Sequence, residues 1–184
     1  MQRDKKVKEN DLQDRFLLKG VMKQDPKSFE QLVKKYSDAF YRFCYRFLQD
    51  KEKTEDILQE AFLKLWAKPQ LWDQSHKTKF TSWFYKILMN LCLDEKRKKK
   101  WLSLFGFLGE DPRESCLNRL IKEEKQLMLE KEILKLPQKY QTVLHLSYFE
   151  GISNQEAADM MGVTVKAFQS TLMRAKNKIK KQLV

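Results

Sequence analysis

The sequence predicts an all-α fold of two small helical bundles joined by a linker, with a helix-turn-helix in the C-terminal bundle. Three observations lead to this prediction. Apolar residues recur at spacings of three and four along most of the chain, as they do on one face of a helix. No stretch shows the alternation of apolar and polar residues that a half-buried strand requires. Between the two periodic parts, two glycines and a proline interrupt the pattern.

These patterns divide the chain into four parts. We expect a charged N-terminal lead-in at residues 1–24, a first bundle at 25–100, a linker at 101–117 and a second bundle at 118–184. Apolar residues make up 42% of the chain and aromatic residues 12%, which is enough for packed cores.

The charge balance points to a polyanionic partner. Lys and Arg number 37 against 25 Asp and Glu, a formal net charge of +12. Nucleic acid is the first candidate partner and an anionic membrane surface the second. The chain shows no apolar run long enough to span a membrane and its first ten residues have no hydrophobic signal core, so we expect a cytoplasmic protein.

The residues that usually carry catalysis or bind metals form no recognisable site. Cys44, Cys92 and Cys116 are odd in number, far apart and in no CxxC pair, so we interpret them as small apolar residues. His76 and His145 do not lie at ligand spacing with a cysteine. A phosphate-binding glycine loop and a nucleophile motif are also lacking. We therefore expect neither a cofactor nor an enzyme.

The first bundle begins after a lead-in that is charged and weakly patterned, which we expect to be frayed. Asp25 can cap a helix and Pro26 suits its first position. The long helix that follows has an aromatic inner stripe, formed by Phe29, Leu32, Val33, Tyr36, Phe40, Phe43, Phe47 and Leu48.

A polar break at residues 49–53 separates this helix from a second one, for which Thr54 is the expected cap. Its inner stripe is Ile57, Leu58, Ala61, Phe62, Leu65 and Trp66. Its outer face carries Asp56, Gln59, Glu60 and Leu63. An acidic cluster in such a basic chain would repel DNA, so the face is either a solubilising surface or a docking surface for a protein.

Pro69 ends the second helix, and a polar loop that contains Trp72 and His76 leads to a third helix at residues 80–100. The face opposite its apolar stripe offers Trp83, Lys86, Asn90 and Arg97, and residues 96–100 are all basic. Rings that stack on unpaired bases and cations for the backbone are what single-stranded DNA binding requires. The alternative is that Trp83 and Tyr85 belong to the core and that the lysines are a solvated helix end.

The second bundle follows an apolar segment at residues 101–108, which we interpret as a linker that lies in a groove of another molecule. A helical pattern resumes near Leu117, and another helix starts at Leu136-Pro137.

The last part of the chain has the pattern of a helix-turn-helix. Ser153 and Glu156 can form a capping box, Ala157, Ala158 and Met161 share one face, and Gly162 supplies the turn. The next helix buries Val165, Phe168, Leu172, Ala175, Ile179 and Leu183. The exposed candidates for contacts with duplex DNA are Thr164, Lys166, Gln169, Ser170, Arg174 and Lys176. The alternative is a solvated amphipathic hairpin.

Two ordered signatures together resemble the extracytoplasmic-function (ECF) sigma factors, the small members of the sigma-70 family of bacterial RNA polymerase. DILQEAF at residues 56–62, WFYKI at 83–87 and Asn90 resemble region two. Leu136-Pro137, then EGIS at residues 150–153, EAA at 156–158 and Arg174-Ala175 resemble region four. The resemblance covers residues 26–100 and 118–183.

This resemblance implies roles for the candidate residues. Asp56, Gln59, Glu60 and Leu63 would dock on the coiled coil of the polymerase β′ clamp, and the β flap would be a further polymerase contact. Strand capture at the minus-ten element would fall to Trp72, Lys79, Trp83, Lys86, Asn90 and Arg97, with Asn90 near the pocket for a flipped base and residues 72–79 at its rim. The helix at residues 164–176 would read the minus-thirty-five duplex.

One departure from the family pattern concerns this reading helix. Many relatives have Lys-Ser-Arg where this chain has Gln169-Ser170-Thr171, so its sequence preference stays open. An anti-sigma factor is a further expected partner.

Energetics limits what such a chain does alone. Opening about ten base pairs costs on the order of 14 kcal/mol, whereas specific binding exceeds non-specific binding by only about 4 to 10 kcal/mol. The chain would therefore capture unpaired bases while polymerase holds the rest. The rival interpretations are a stand-alone helix-turn-helix regulator and a nucleic-acid enzyme.

Overall fold

The computed structural model describes residues 2–72, 79–104, 129, 132–148 and 152–182, and it describes the side chains of residues 12–72, 79–99, 129, 132–148 and 152–181. Within these ranges the regular structure is helical and no strand occurs, so the predicted all-α fold is confirmed. The chain forms two compact units, residues 1–110 and 111–184.

The first unit begins with helix α1, Gln2–Met22, where the sequence pattern predicts a frayed lead-in. That expectation is wrong because the end of α1 is packed: Leu17, Leu18 and Val21 are buried. Among the described side chains of α1, residues 12–22, the buried apolar residues lie in the last two turns.

A polar cluster and a close steric contact fix α1 against helix α2, Pro26–Leu48. The buried Asp14 carboxylate accepts hydrogen bonds from the Tyr36 hydroxyl at 2.6 Å and from the Lys35 ammonium at 2.7 Å. Near the end of α1, a Cβ atom at Gly20 would overlap the Ser28 side chain, so the backbone and Ser28 are in close contact there. The position therefore requires glycine.

Helix α2 begins as predicted, because the Asp25 carboxylate accepts from the Lys27 and Ser28 N–H groups. A hydrogen bond from the Ser28 hydroxyl, together with these two backbone bonds, lowers the pKa of Asp25 below its usual value. The helix ends at Gln49, which adopts a left-handed conformation with φ of +53°.

Helix α3 spans Lys51–Ala67 and starts one turn earlier than predicted. Asp50 is its cap, since the Asp50 carboxylate accepts from the Lys53 N–H at 3.0 Å. The predicted cap, Thr54, is buried and its hydroxyl donates to the Asp50 carbonyl oxygen at 2.6 Å. The break between α2 and α3 is therefore only Gln49 and Asp50.

A turn of 3-10 helix, Pro69–Leu71, follows α3, and helix α4 spans Phe80–Leu104, four residues into the expected linker. The core between α2 and α4 is aromatic: the Phe40 ring stacks on Phe84 with centroids 4.6 Å apart and meets the edge of Tyr85 at 4.9 Å. Residues 105–128, where the rest of the linker and the helix near Leu117 were expected, lie outside the described residues.

Two of the three cysteines lie in this core, as expected of small apolar residues. Cys44 and Cys92 are both buried. A hydrogen bond with Cys92 and burial raise the pKa of the Cys44 thiol far above its usual range, so it stays neutral. Cys116 is outside the described residues.

In the second unit, residues 132–135 are helical and precede α5 (Gln138–Ser147), α6 (Asn154–Met161) and α7 (Val165–Gln182). Its core includes a cluster of Leu136 and Leu144 packed on Ala175 and Ile179 of α7. The fold of this unit thus rests on the apolar stripe that the sequence predicts for α7. Among the described residues, no helix is both long and apolar enough to cross a membrane.

The predicted capping box at the start of α6 is confirmed. The Ser153 hydroxyl accepts from the Glu156 N–H at 3.2 Å, and the Glu156 carboxylate accepts from the Ser153 N–H at 2.8 Å. Gly162 makes the turn with φ of +65°. Two predicted motif residues, Glu150 and Gly151, are not among the described residues.

Candidate functional site

The first candidate surface lies on α3. Asp56, Gln59, Glu60 and Leu63 recur at spacings of three and four, and the structure brings them together as exposed side chains on one face. With Lys64 and Ala67 they line a shallow open depression of about 430 Å³. The Leu63 side chain is 56% exposed in this depression.

The charge on this surface is more balanced than the residue types at positions 56, 59 and 60 suggested. The Lys53 ammonium lies 3.7 Å from the Asp56 carboxylate, and the Lys64 ammonium lies 2.6 Å from that of Glu60. The expectation of a simply acidic patch is therefore corrected. The surface is an exposed leucine with a mixed rim of acidic and basic side chains. Such exposed ion pairs contribute at most about 1 kcal/mol, so an approaching partner displaces the lysines at little cost.

The second candidate surface lies on α4. Lys86, Asn90 and Arg97 are exposed, and Trp83 is half-buried. Trp83 and Arg97 are fourteen residues apart in one helix, or about 21 Å along its axis. The Arg97 guanidinium donates to the Asp94 carboxylate at 3.0 Å. Because both partners are exposed, this pair does not prevent Arg97 from binding a phosphate.

Trp72 does not belong to this exposed surface. Its side chain is only 5% exposed and packs on Phe80 and Trp83, with ring centroids 6.0 and 5.5 Å away. Its indole N–H has no hydrogen-bond acceptor among the described residues. The expectation that Trp72 contacts DNA is corrected, because a buried ring cannot stack on a base. Trp72 instead packs against the Trp83 ring from the side of the core.

Residues 73–78 and Lys79 precede α4 in the chain. The Lys79 carbonyl oxygen accepts from the Trp83 N–H at 3.2 Å, so Lys79 begins the helix, and its side chain is half-buried. The proposed rim of the strand pocket includes residues 73–78, which lie outside the described residues.

The basic run at the other end of α4 is not uniform. Arg97, Lys98 and Lys99 are exposed, whereas Lys96 is half-buried and burial lowers the pKa of its ammonium group. The Lys100 side chain is not described. The cationic surface of this run is therefore formed by residues 97–99.

The third candidate surface lies on α7. Thr164 precedes the helix and caps it, since its hydroxyl accepts from the Ala167 N–H at 3.2 Å. Phe168 is buried, as predicted, and fixes the helix to the unit. The other predicted contact residues are all exposed: Lys166, Gln169, Ser170, Arg174 and Lys176.

Contacts within the unit orient part of this surface. The Lys176 ammonium lies over the ring of the exposed Tyr148, 5.4 Å from its centroid. The Thr171 hydroxyl donates to the Ala167 carbonyl oxygen at 2.8 Å. Thr171 therefore differs from an arginine at this position, which would extend into solvent.

Met173 is a further candidate contact residue, which was not predicted from the sequence. Its side chain is 66% exposed on the same side of α7 as Gln169 and Ser170. The signal was present in the spacing, because Met173 follows these residues by four and three positions and falls outside the stripe that Phe168 begins. It was missed because an apolar residue was not considered on a basic face.

Comparison with known proteins assigns both units. The family description of Sigma-70 region 2 matches residues 32–102, and that of Sigma-70, region 4 matches residues 126–179. The ECF RNA polymerase sigma factor SigW of Bacillus subtilis is 31% identical, over 90% of this chain and 94% of SigW. The RNA polymerase sigma-H factor of Pseudomonas aeruginosa is 28% identical, over 93% of this chain and 94% of that protein.

Solved structures give the same fold. CnrH, in complex with the cytosolic domain of CnrY, superposes with a TM-score of 0.69 at 22% identity, over 93% of this chain and 97% of CnrH. The sigma factor RpoE of Bartonella quintana, in complex with the anti-sigma factor NepR, superposes with a TM-score of 0.68 at 21% identity, over 85% of this chain and 97% of RpoE.

Proposed function

The chain belongs to the ECF sigma factors of the sigma-70 family, and from this we propose a division of labour among the α3, α4 and α7 surfaces. As a member of this family it is a non-catalytic subunit for transcription initiation, which binds core RNA polymerase and directs it to promoter DNA. The partners and the process follow from the family. The assignment of each surface to a task is the proposal.

The α3 surface docks on the coiled coil of the β′ clamp. What supports this is an exposed Leu63 between Gln59 and two carboxylates, a composition that suits a protein interface better than a phosphate backbone. The lysines beside Asp56 and Glu60 limit repulsion before docking and are held only by weak exposed ion pairs. The second unit adds a contact with the β flap.

The α4 surface captures the unpaired strand of the minus-ten element. Trp83 supplies an aromatic face on which a base stacks, at a gain of about 1 to 3 kcal/mol. Asn90 lies two turns further along, where its amide can donate and accept hydrogen bonds at the edge of a flipped base. Lys86 and Arg97 lie on the same exposed side and serve the phosphates.

The α7 surface reads the minus-thirty-five element as duplex DNA. Gln169 and Ser170 are the residues that hydrogen-bond base edges, and Arg174 and Lys176 bind phosphates. The capped start of α7 at Thr164 and the buried Phe168 fix the helix within the unit, and these four side chains are exposed.

We propose that the chain works in the cytoplasm, where polymerase and promoter meet. An anti-sigma factor is its proposed regulator, since the structural relative RpoE is held by one, NepR.

The observation that carries the proposal is that the exposed residues of α3 differ in chemistry from those of α4 and α7: a leucine with a mixed rim on α3, and cations with amides or a ring on the other two. A surface for polymerase and two surfaces for DNA are thus distinguishable by mutation.

The test uses the full chain with purified core polymerase. Asp56→Ala combined with Gln59→Ala is expected to weaken co-elution with core at least tenfold, while thermal unfolding and the salt-dependent binding of free protein to duplex DNA stay unchanged. Asp38→Ala, which removes an exposed carboxylate on α2, is the matched control and should bind core normally. Transcription from a genomic library by the wild-type holoenzyme then yields the two promoter elements.

Two results would contradict the proposal. Equal loss of core binding and of DNA binding by the double variant would mean that the substitutions act through unfolding. Tight, specific duplex binding by a free protein that never co-elutes with core would instead favour a stand-alone helix-turn-helix regulator.

A further inference from the structure

We propose that Met173 is a specificity-determining residue of the α7 surface, and that its side chain contacts the C5-methyl group of a thymine in the minus-thirty-five duplex. This inference rests on the proposed function of α7 and adds that the surface prefers a base pair that contains thymine.

The placement of Met173 is the first argument. Its side chain is 66% exposed, although Ala175 and Phe168 on the same helix are buried. It follows Gln169 by four residues and precedes Asn177 by four, so it lies in the same row as two exposed amides. Within the described part of α7, it is the only exposed large apolar side chain.

The reach of the helix is the second argument. Eight residues separate Val165, the first residue of α7, from Met173, which corresponds to about 12 Å along the axis. The exposed candidate contact residues Ser170 and Arg174 precede and follow Met173 in this helix. A helix that brings both of them to the major groove therefore brings Met173 there as well.

The chemistry of the side chain is the third argument. A thioether has no N–H or O–H to donate and is only a weak acceptor, so methionine cannot read the polar edges of guanine, adenine or cytosine as an amide does. The C5-methyl group of thymine is the one apolar feature that the major groove presents. Single exposed apolar residues are common on protein surfaces. Met173 differs from such a residue because it stands among the side chains that face the DNA.

The experiment removes the methyl group from the DNA and the thioether from the protein. Duplex probes carry the minus-thirty-five element recovered from the transcription library, and each thymine on either strand is replaced in turn by uracil, which lacks only the C5-methyl group. Binding to the holoenzyme is measured at fixed salt for the wild type, for Met173→Ala and for the size-matched polar variant Met173→Gln.

For the wild type we expect one thymine at which uracil weakens binding about fourfold, the factor that corresponds to one buried methyl group. Met173→Ala and Met173→Gln should bind the thymine and uracil probes equally at that position. The matched control is Leu134→Ala, which shortens an exposed leucine outside α7 and should keep the fourfold preference.

Equal binding of all thymine and uracil probes by the wild type would overturn the inference, and so would an element without thymine on either strand. The proposed function would survive both results, because duplex binding itself would persist. A preference that Met173→Ala retains would also overturn it, since another residue would then contact the methyl group. Absence of any minus-thirty-five binding by the wild-type holoenzyme would overturn both proposals.

Discussion

The buried indole of Trp72 lies beneath that of Trp83, with ring centroids 5.5 Å apart and planes inclined at 53°. The two tryptophans are thus in contact, and only Trp83 is partly exposed. The pair joins the core of the first unit directly to the proposed site of strand capture.

This contact predicts different effects for two similar substitutions, one on DNA binding and the other on stability. Trp83→Ala should weaken binding of a single-stranded minus-ten oligonucleotide to the holoenzyme by about 1 to 3 kcal/mol, because it removes a stacking platform. Trp72→Ala should lower the free energy of unfolding by about 3 to 5 kcal/mol, because it opens a cavity in the core. Oligonucleotide titration measures the loss of binding and denaturant unfolding measures the loss of stability. Similar losses of both kinds for the two variants would refute the placement of Trp72 in the core and of Trp83 at the surface.

A second prediction concerns Asn90. Asn90→Ala should reduce transcription from linear duplex more than transcription from a template already mismatched at the minus-ten element, since the side chain helps to capture a base that must first be flipped. Run-off transcription from the two templates measures this difference. Lys86→Ala is the control: it removes a phosphate contact and should affect both templates alike. An equal loss on both templates for Asn90→Ala would exclude the capture role.

A third prediction tests the packing of α1 on α2. Gly20→Ala should lower the free energy of unfolding by about 1 to 3 kcal/mol, because the new methyl group overlaps Ser28. Adding Ser28→Gly removes the overlapping atoms, so the double variant should lose less than the sum of the two single losses. Denaturant unfolding of all four proteins measures the coupling, and strictly additive losses would show that the two helices are not in close contact there.

A fourth prediction concerns the left-handed residue that ends α2. Gln49→Gly should raise the free energy of unfolding by about 1 kcal/mol, because glycine adopts a positive φ without strain. The side-chain amide of Gln49 donates to the Arg46 carbonyl oxygen at the long distance of 3.5 Å, so glycine loses little there. Gln24 also has a positive φ, of +58°, but its side-chain amide donates to the Trp66 carbonyl oxygen at 3.1 Å. Gln24→Gly loses that bond and should gain less. A larger gain at position 24 than at position 49 would contradict this account.

The features predicted correctly from the sequence are those set by local chemistry. The capping box of Ser153 and Glu156, the left-handed turn at Gly162 and the burial of Phe168 depend on residues close together in the chain. Each could therefore be predicted without knowledge of the tertiary structure.

The wrong predictions in the first unit have a common cause, which is that tertiary contacts decided between local alternatives. Asp50 and Thr54 are both good caps, and the burial of Thr54 selects Asp50. Helix α1 is held by Asp14 and Gly20, whose partners on α2 are more than seven positions away. Trp72 stands in a polar stretch, and its burial comes from tertiary packing on Phe80 and Trp83.

The buried thiols of Cys44 and Cys92 have a practical consequence. Because both are buried and the raised pKa of Cys44 keeps that thiol protonated, an alkylating reagent reaches them only when α2 and α4 separate. Mass spectrometry can follow the alkylation of these two cysteines in the chain without any substitution. The rate of alkylation then reports how often the first unit opens. Repeating the measurement with polymerase bound shows how far the complex slows that opening.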